Sequence, residues 1–309
     1  MSKPESLGFQ SPFLSVKQVA AYLQLNEKKI YSLANEGDIP ATKVTGKWMF
    51  PRELIDRWML DSSHSGLLKD RLIIGGSDDP LLFRVISNLA HDFKQHALVS
   101  YSPTSTAIGL SLLQSQRIDI CAIHWGSQAE SNMRHPALLQ QYSQSSQWVL
   151  IRAFQREQGL IIHPAILEQF SQYAKQPEFF FSPQFRWAKR QEGSGSQRFL
   201  NEILIKHHLA SEALTIELDA KSEREAGSAI AMGLVDIALG TRASANEFAM
   251  GFISLGWESV DLSLPRNIWF RRIFQEFINE LKSINSQQIA ERLDGYDLSS
   301  SGELVWGDD

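Results

Sequence analysis

From residue 70 onward, short apolar runs alternate with stretches whose apolar residues recur at helical spacing. This alternation restricts the chain more than any other feature. Leu72-Ile73-Ile74-Gly75 reads as a strand, and Gly76-Ser77-Asp78-Asp79-Pro80 turns into a helix carrying Leu81, Leu82, Val85, Ile86 and Leu89. Leu98-Val99-Ser100-Tyr101 repeats the strand, and Ser102-Pro103-Thr104-Ser105-Thr106 opens a helix through Ile108, Leu112 and Leu113. Ile118-Asp119-Ile120-Cys121-Ala122-Ile123-His124 is a third strand. Strands separated by helices can cross over and lie parallel, so the expectation is an α/β domain with a largely parallel sheet.

Gln147-Trp148-Val149-Leu150-Ile151-Arg152 and Gly159-Leu160-Ile161-Ile162 read as two further apolar segments leading into a second lobe. That lobe takes in strand-like stretches at 185–188, 214–218 and 235–240 and a helix at 226–232. Residues 263–268 read as a return segment, 271–278 as an amphipathic helix, and the tail from Gly295 to Trp306 as a final strand or loop.

In open α/β sheets ligands sit beyond the carboxyl ends of strands, where helices begin. Two small-hydroxyl turns fall at that edge, after residues 75 and 101, and a third is richer still: Gln191-Glu192-Gly193-Ser194-Gly195-Ser196-Gln197-Arg198. A glycine-rich turn opening a helix leaves backbone N–H groups pointing outward with the helix dipole behind them, which suits an anion. Ser194 and Ser196 add hydroxyl donors, and Arg198 adds a fixed positive charge. The plainer reading is a strand-to-helix turn whose serines are N-caps and whose Arg198 pairs with Glu202 one turn on.

Composition excludes several classes. The single Cys121 permits neither an intramolecular disulfide nor a four-thiolate zinc site. No N-terminal signal pattern and no apolar run approaching about 18 residues is present, so a cytosolic protein with no membrane partner is expected. The net charge of −5 is uneven: residues 1–60 hold 8 Lys/Arg against 6 Asp/Glu, and residues 61–309 hold 22 against 29. Any DNA contact must therefore come from the first segment.

That segment begins with Ser15 as N-cap of a helix carrying Val16, Val19, Ala20 and Leu23. Asn26 caps a second helix, with Ile30, Leu33 and Ala34 inward and Gly37 as its stop. Residues 41–44 and 47–50 form a strand pair turned at Thr45-Gly46, and a closing helix follows with Pro51 near its start. Two short helices, a tight turn and a hairpin describe a winged helix-turn-helix over residues 12–60. Leu14-Ser15-Val16, Val19-Ala20, Leu23, Ile30-Tyr31, Glu36-Gly37-Asp38-Ile39-Pro40 and Gly46-Lys47-Trp48-Met49-Phe50 resemble the excisionase-like, MerR-related DNA-binding domains. The resemblance implies that residues 26–36 enter the major groove, with Lys28, Lys29, Tyr31 and Ser32 exposed, and that Lys43 and Lys47 reach phosphates. Met49 stands where that family often has Arg. Residues 61–69 read as a linker.

Residues 70–309 carry Gly76-Ser77-Asp78-Asp79-Pro80-Leu81-Leu82, the strand from Arg117 to His124, the turn from Arg190 to Arg198, Met232-Gly233-Leu234-Val235-Asp236-Ile237-Ala238-Leu239-Gly240, and Gly295-Tyr296-Asp297. In this order they resemble the type II periplasmic-binding-protein-like ligand domain of molybdate-related transcriptional regulators. The resemblance implies two α/β lobes joined by crossover strands and closing on a small ligand, with lobe 1 about 70–150 and 265–309 and lobe 2 about 151–264. Ser77, Asp78, Ser102, Thr104, Ser105, His124, Ser194, Ser196 and Arg198 are the candidate ligand residues.

Hydroxyls and backbone N–H groups can hold molybdate or tungstate, the ligand class expected first. Asp78 and Asp79, if they face the cleft, favour instead a ligand bearing an amine or several hydroxyls; otherwise they serve the helix dipole. His124 has a plain reading as a satisfied core histidine. Cys121 with His124 makes a poor nucleophile and base, because strand positions three apart point to opposite faces. His207-His208 lacks a metal-ligand partner, and His91 and His96 lie on different helix faces. No Walker turn or Gly-x-Ser-x-Gly elbow occurs. The expectation is a homodimeric DNA-binding regulator with no cofactor, metal or catalytic residues. The alternatives are a sensor of an organic metabolite, or an enzyme using the 193–198 turn on a phosphorylated small molecule.

Overall fold

The computed structural model describes residues 12–63, 71–93, 97–209 and 214–307, and the chain divides into two compact units, Met1–Asp70 and Arg71–Asp309. In the first, β1 (Phe13–Ser15) runs into α1 (Val16–Leu23) through a reciprocal cap: Ser15 accepts from Gln18 N, and the Gln18 side chain accepts from Ser15 N. Gln24 ends α1 at φ 56, and α2 (Glu27–Glu36) opens on Asn26, which accepts from Lys29 N at 2.7 Å. β2 (Thr42–Val44) and β3 (Lys47–Pro51) form the hairpin, and β1 joins it in the order β1-β3-β2. Pro51 ends β3, and α3 (Arg52–Ser63) follows at once. Val19, Ile30, Phe50 and Ile55 are fully buried and tie helices to hairpin, each contributing on the order of 1.5–3 kcal/mol. This is the winged helix-turn-helix expected from the capping residues. Residues 61–63, expected in a linker, are the last residues of α3, and 64–69 lie outside the described residues.

The second unit continues with β4 (Arg71–Gly76), α4 (Pro80–Phe93), β5 (Leu98–Pro103), α5 (Thr106–Gln114), β6 (Ile120–Ile123) and α6 (Ser131–Leu139). Then come β7 (Trp148–Ile162), α7 (Pro164–Gln169), β8 (Arg186–Arg190), α8 (Gly195–Lys206), β9 (Thr215–Ala220), α9 (Glu223–Ala231), β10 (Ile237–Thr241) and α10 (Arg242–Glu247). β11 (Gly251–Pro265) leads back to α11 (Arg266–Trp269), α12 (Arg272–Leu281), α13 (Ile284–Leu293), β12 (Tyr296–Asp297) and β13 (Leu304–Trp306).

The strands of this unit form one curled sheet in the order β5-β4-β6-β11-β7-β10-β8-β9, with β12 and β13 paired to β7. β4 is parallel to β5 and β6, and β8 is parallel to β9 and β10. Each parallel trio has its own core: Leu72, Ile74, Leu81, Val85, Phe274 and Phe277 in one lobe, Leu160, Phe180, Trp187, Leu200 and Leu239 in the other. β7 and β11, 15 residues each, pair antiparallel from Gly251↔Ile162 to Pro265↔Trp148 and run through both lobes.

These long strands differ from the expectation. The two apolar segments at 147–152 and 159–162 are one strand, and the return at 263–268 is only the end of β11 with the start of α11. The charges between the apolar segments conceal the continuity. Arg152, Arg156, Glu157 and Gln158 are buried, as are Asp261 opposite Arg152 and Glu258 opposite Arg156, and ion pairs within the sheet replace the lost hydration. Among the described residues no helix is long and apolar enough to cross a membrane.

Candidate ligand-binding site

The carboxyl ends of β4, β6 and β8 point to one place between the lobes, where Ser77, Asp78, Ser105, Thr106, His124, Arg190, Ser194, Gly195, Ser196 and Glu223 line a cavity of about 10 Å³. Ser105 is the N-cap of α5 and accepts from Ile108 N at 3.3 Å; Ser194 is the N-cap of α8 and accepts from Gln197 N at 3.1 Å. Two helix N-termini thus face the cavity from opposite lobes. Gly195 has no substitute here: a Cβ would lie 2.1 Å from the Nε2 and Cδ2 atoms of His124. Gly76, at φ +104, lets β4 turn against Ala122, and a Cβ would meet the Ala122 carbonyl oxygen at 2.2 Å.

Three of the hydrogen bonds that join the lobes lie beside the cavity. Gln191 Nε2 donates to the Thr104 carbonyl at 2.6 Å, Ala107 N donates to the Gly193 carbonyl at 3.2 Å, and Glu223 N donates to Asp78 Oδ2 at 2.5 Å. Inside, Ser77 Oγ lies 2.7 Å from His124 Nδ1 and 3.1 Å from Thr106 Oγ1. Burial, helped by Arg156 and other cations, holds the His124 pKa well below the usual imidazole range, so the ring is neutral. Its Nε2, and the Nε of Arg190, have no hydrogen-bond partner among the described residues. Arg190 is 6% exposed and is held through Nη2 by the Lys221 carbonyl at 3.3 Å. Burial raises the pKa of Asp78, with Glu223 adding to the shift and Arg190 opposing it. For Glu223, burial works upward but Arg156 and the hydroxyls of Thr241 and Ser244 outweigh it, and its pKa is lowered.

Next to the cavity lies a second charged group. Arg156, fully buried on β7, donates through Nε to Glu258 at 2.8 Å and through Nη1 to Asp79 at 2.8 Å and the Asp78 carbonyl at 2.9 Å. Tyr296 OH donates to Asp79 Oδ2 at 3.0 Å. Burial pushes the Asp79 pKa to about 6 and that of Glu258 to about 7, because one guanidinium cannot offset several buried carboxylates.

Of the expected residues, Ser77, Asp78, Ser105, His124, Ser194 and Ser196 line the cavity. Ser102 is exposed, and Thr104 turns its Oγ1 to Gly76 N at 3.2 Å. Arg198 stacks over Trp125 at 5.2 Å, outside the cavity, while Glu202 pairs with Arg134 at 2.5 Å. Arg190, Thr106, Gly195 and Glu223 were not among the expected residues. Arg190 left one signal: it is a cation ending a buried strand directly before the glycine turn. Glu223 left none, since an acid in a first helical turn is ordinary. Cys121 is buried, which pushes its thiol pKa far up and leaves it unsuited to nucleophilic work. In the first unit Lys28, Lys29, Tyr31, Lys43 and Lys47 are exposed; Lys43 lies over Trp48 at 5.6 Å, and Ser32 donates to Glu36 at 2.5 Å.

A model described as a PBP superfamily domain matches residues 87–282, and one described as a helix-turn-helix domain matches residues 13–63. No curated protein matches the chain significantly. Among solved structures, the chain is similar to one assigned as a phosphate ABC transporter substrate-binding protein with bound phosphate, from Clostridium perfringens. The identity is 10%, over 74% of this chain and 100% of that one, with a TM-score of 0.52. A hydrogen-peroxide-bound mutant of OxyR from Corynebacterium glutamicum aligns at 12% identity over 90% of this chain and 89% of that one, with a TM-score of 0.49. At 10% identity the likeness to the first of these is one of fold.

Proposed function

The chain belongs to the PBP superfamily and carries a helix-turn-helix domain ahead of it, and on that premise we propose a one-component transcriptional regulator that senses a small ligand. In this reading α2 enters the major groove with Lys28, Lys29, Tyr31 and Ser32, and Lys43 and Lys47 hold phosphates. One unit of this size buries little surface on DNA, so the protein works as a homodimer on two half-sites, in the cytoplasm. Closure of the lobes on the ligand changes the geometry of that dimer. The reading needs no cofactor and no catalytic group.

The observation that carries it is a pair of residues lining one small cavity, Arg190 and His124, each with a buried atom, Nε and Nε2, that has no partner among the described residues. Buried polar atoms are rarely left this way unless something else completes them. Four serine hydroxyls and two helix N-termini around the same cavity suit an oxyanion group, whether molybdate, tungstate or an organic acid. A cavity of about 10 Å³ has room for roughly one water, so a ligand enters when the lobes part and the Gln191–Thr104 and Ala107–Gly193 contacts open.

The DNA half is tested by binding to duplexes selected from a random pool. Affinity should fall steeply with salt; Lys28→Ala with Lys29→Ala should weaken binding, and Lys43→Ala with Lys47→Ala should flatten the salt dependence by about one unit of slope per lost phosphate contact. Salt-insensitive binding, or none, would contradict the reading.

A further inference from the structure

We infer that the ligand is a small zwitterion, an acid whose anionic group meets Arg190 and the starts of α5 and α8 while its ammonium meets Asp78. This rests on the cleft being a ligand site. The anionic end follows from the donors already described: the unpartnered Arg190 Nε, the hydroxyls of Ser77, Ser105, Ser194 and Ser196, and two helix N-termini.

The cationic end follows from Asp78. It lines the same cavity, commits Oδ2 to the Glu223 N–H, and engages Oδ1 in no hydrogen bond among the described residues. Arg190 does not approach it within ion-pair distance among the described residues, so the cavity holds a cation and a carboxylate that leave each other free.

The charge balance decides between ligand classes. With His124 neutral, the lining places two acids, Asp78 and Glu223, against the single cation Arg190. Arg156 lies 3.9 Å from Glu223 but is shared with Asp79 and Glu258, so it does not redress the excess of acids. A doubly charged bare oxyanion would add like charge to this wall in a dry site, where repulsion is strong. A zwitterion adds none, and its two ends match the two free groups. An amine-free acid satisfies Arg190 and leaves Asp78 Oδ1 without a donor, a costly arrangement in a buried site.

The test uses the full chain and pairs of compounds differing by the amine: glycine with acetate, β-alanine with propionate and taurine with ethanesulfonate, together with molybdate and sulfate. Calorimetry and thermal shift should show at least one aminated member binding tenfold or more tightly than its counterpart. Asp78→Asn, which keeps an acceptor for the Glu223 N–H, should bring that ratio near one, and Arg190→Gln should remove binding of both members. If Asp78→Asn does not fold, Asp78→Ser takes its place. The inference is overturned if no aminated acid binds, if molybdate, sulfate or amine-free acids bind as well as the aminated ones, or if the preference survives both Asp78 variants. Binding of molybdate or an amine-free acid that Arg190→Gln abolishes would still uphold the cleft as a ligand site. No binding by either set would remove that reading too.

Discussion

Arg156 and Arg190 are both buried, at 0% and 6% exposure, both on strands and both beside Asp78, yet the fold treats them oppositely. Arg156 is enclosed by Asp79, Glu258 and the Asp78 carbonyl, and only its Nη2 lacks a partner among the described residues. Arg190 has one carbonyl contact and a bare Nε at a cavity wall. A charge that holds a structure together is surrounded by that structure. A charge kept for a ligand is positioned by few contacts and left short of partners. The first costs stability if removed, and the second costs binding.

The largest expected effect breaks that comparison at its structural end. Arg156→Leu strands Asp79 and Glu258 without a counter-charge and should destabilise the second unit by about 3–5 kcal/mol in denaturant unfolding. A loss below about 1 kcal/mol would mean that Arg156 is no more structural than Arg190.

Acidity gives the next effect. Because Glu258 titrates at about 7 when folded against 4.5 ordinarily, the folded chain takes up a proton between these values that the unfolded chain does not. Its contribution therefore favours the folded state below that window and is lost as pH rises through it. The depressed His124 pKa acts in the opposite direction below about 6.5, so the contrast with a variant isolates Glu258. Glu258→Gln should gain on the wild type as pH rises from about 4.5 to 7, by up to about 3 kcal/mol at pH 8. A difference independent of pH would contradict this. Arg190→Gln should change the unliganded protein by about 1 kcal/mol or less, the worth of one carbonyl hydrogen bond, in the same unfolding assay.

Ser194 stands between the two arginines, since it caps α8 and also lines the cavity. Ser194→Ala should cost about 1 kcal/mol of stability through the lost cap on Gln197 N, measured without ligand. A larger loss would mark it as wholly structural.

The same contrast explains what the chain's order of residues revealed. The helix-turn-helix was legible because its signals are local: Ser15 and Asn26 as caps, Gly37 as a stop, and a hairpin at Thr45-Gly46. The cavity was half legible, because small hydroxyl residues at strand ends mark helix starts wherever they occur. Which of them share a wall depends on how two lobes meet, and so Ser102 and Arg198 lie elsewhere. The middle of β7 and β11 was not legible, since Arg156 and Glu258 look like loop residues until their partners, about a hundred positions apart, are paired. Arg190 was hidden by the same convention, as a charge at a strand's end is usually solvated.

The central claim is that a ligand held by Arg190 alters DNA binding. It is tested most directly by the affinity of the full chain for a selected operator, with and without a compound that stabilises the wild type in calorimetry. The account predicts a change of about 5-fold or more in the wild type and none in Arg190→Gln at the same concentration. Equal affinity in the wild type with and without that compound would contradict it.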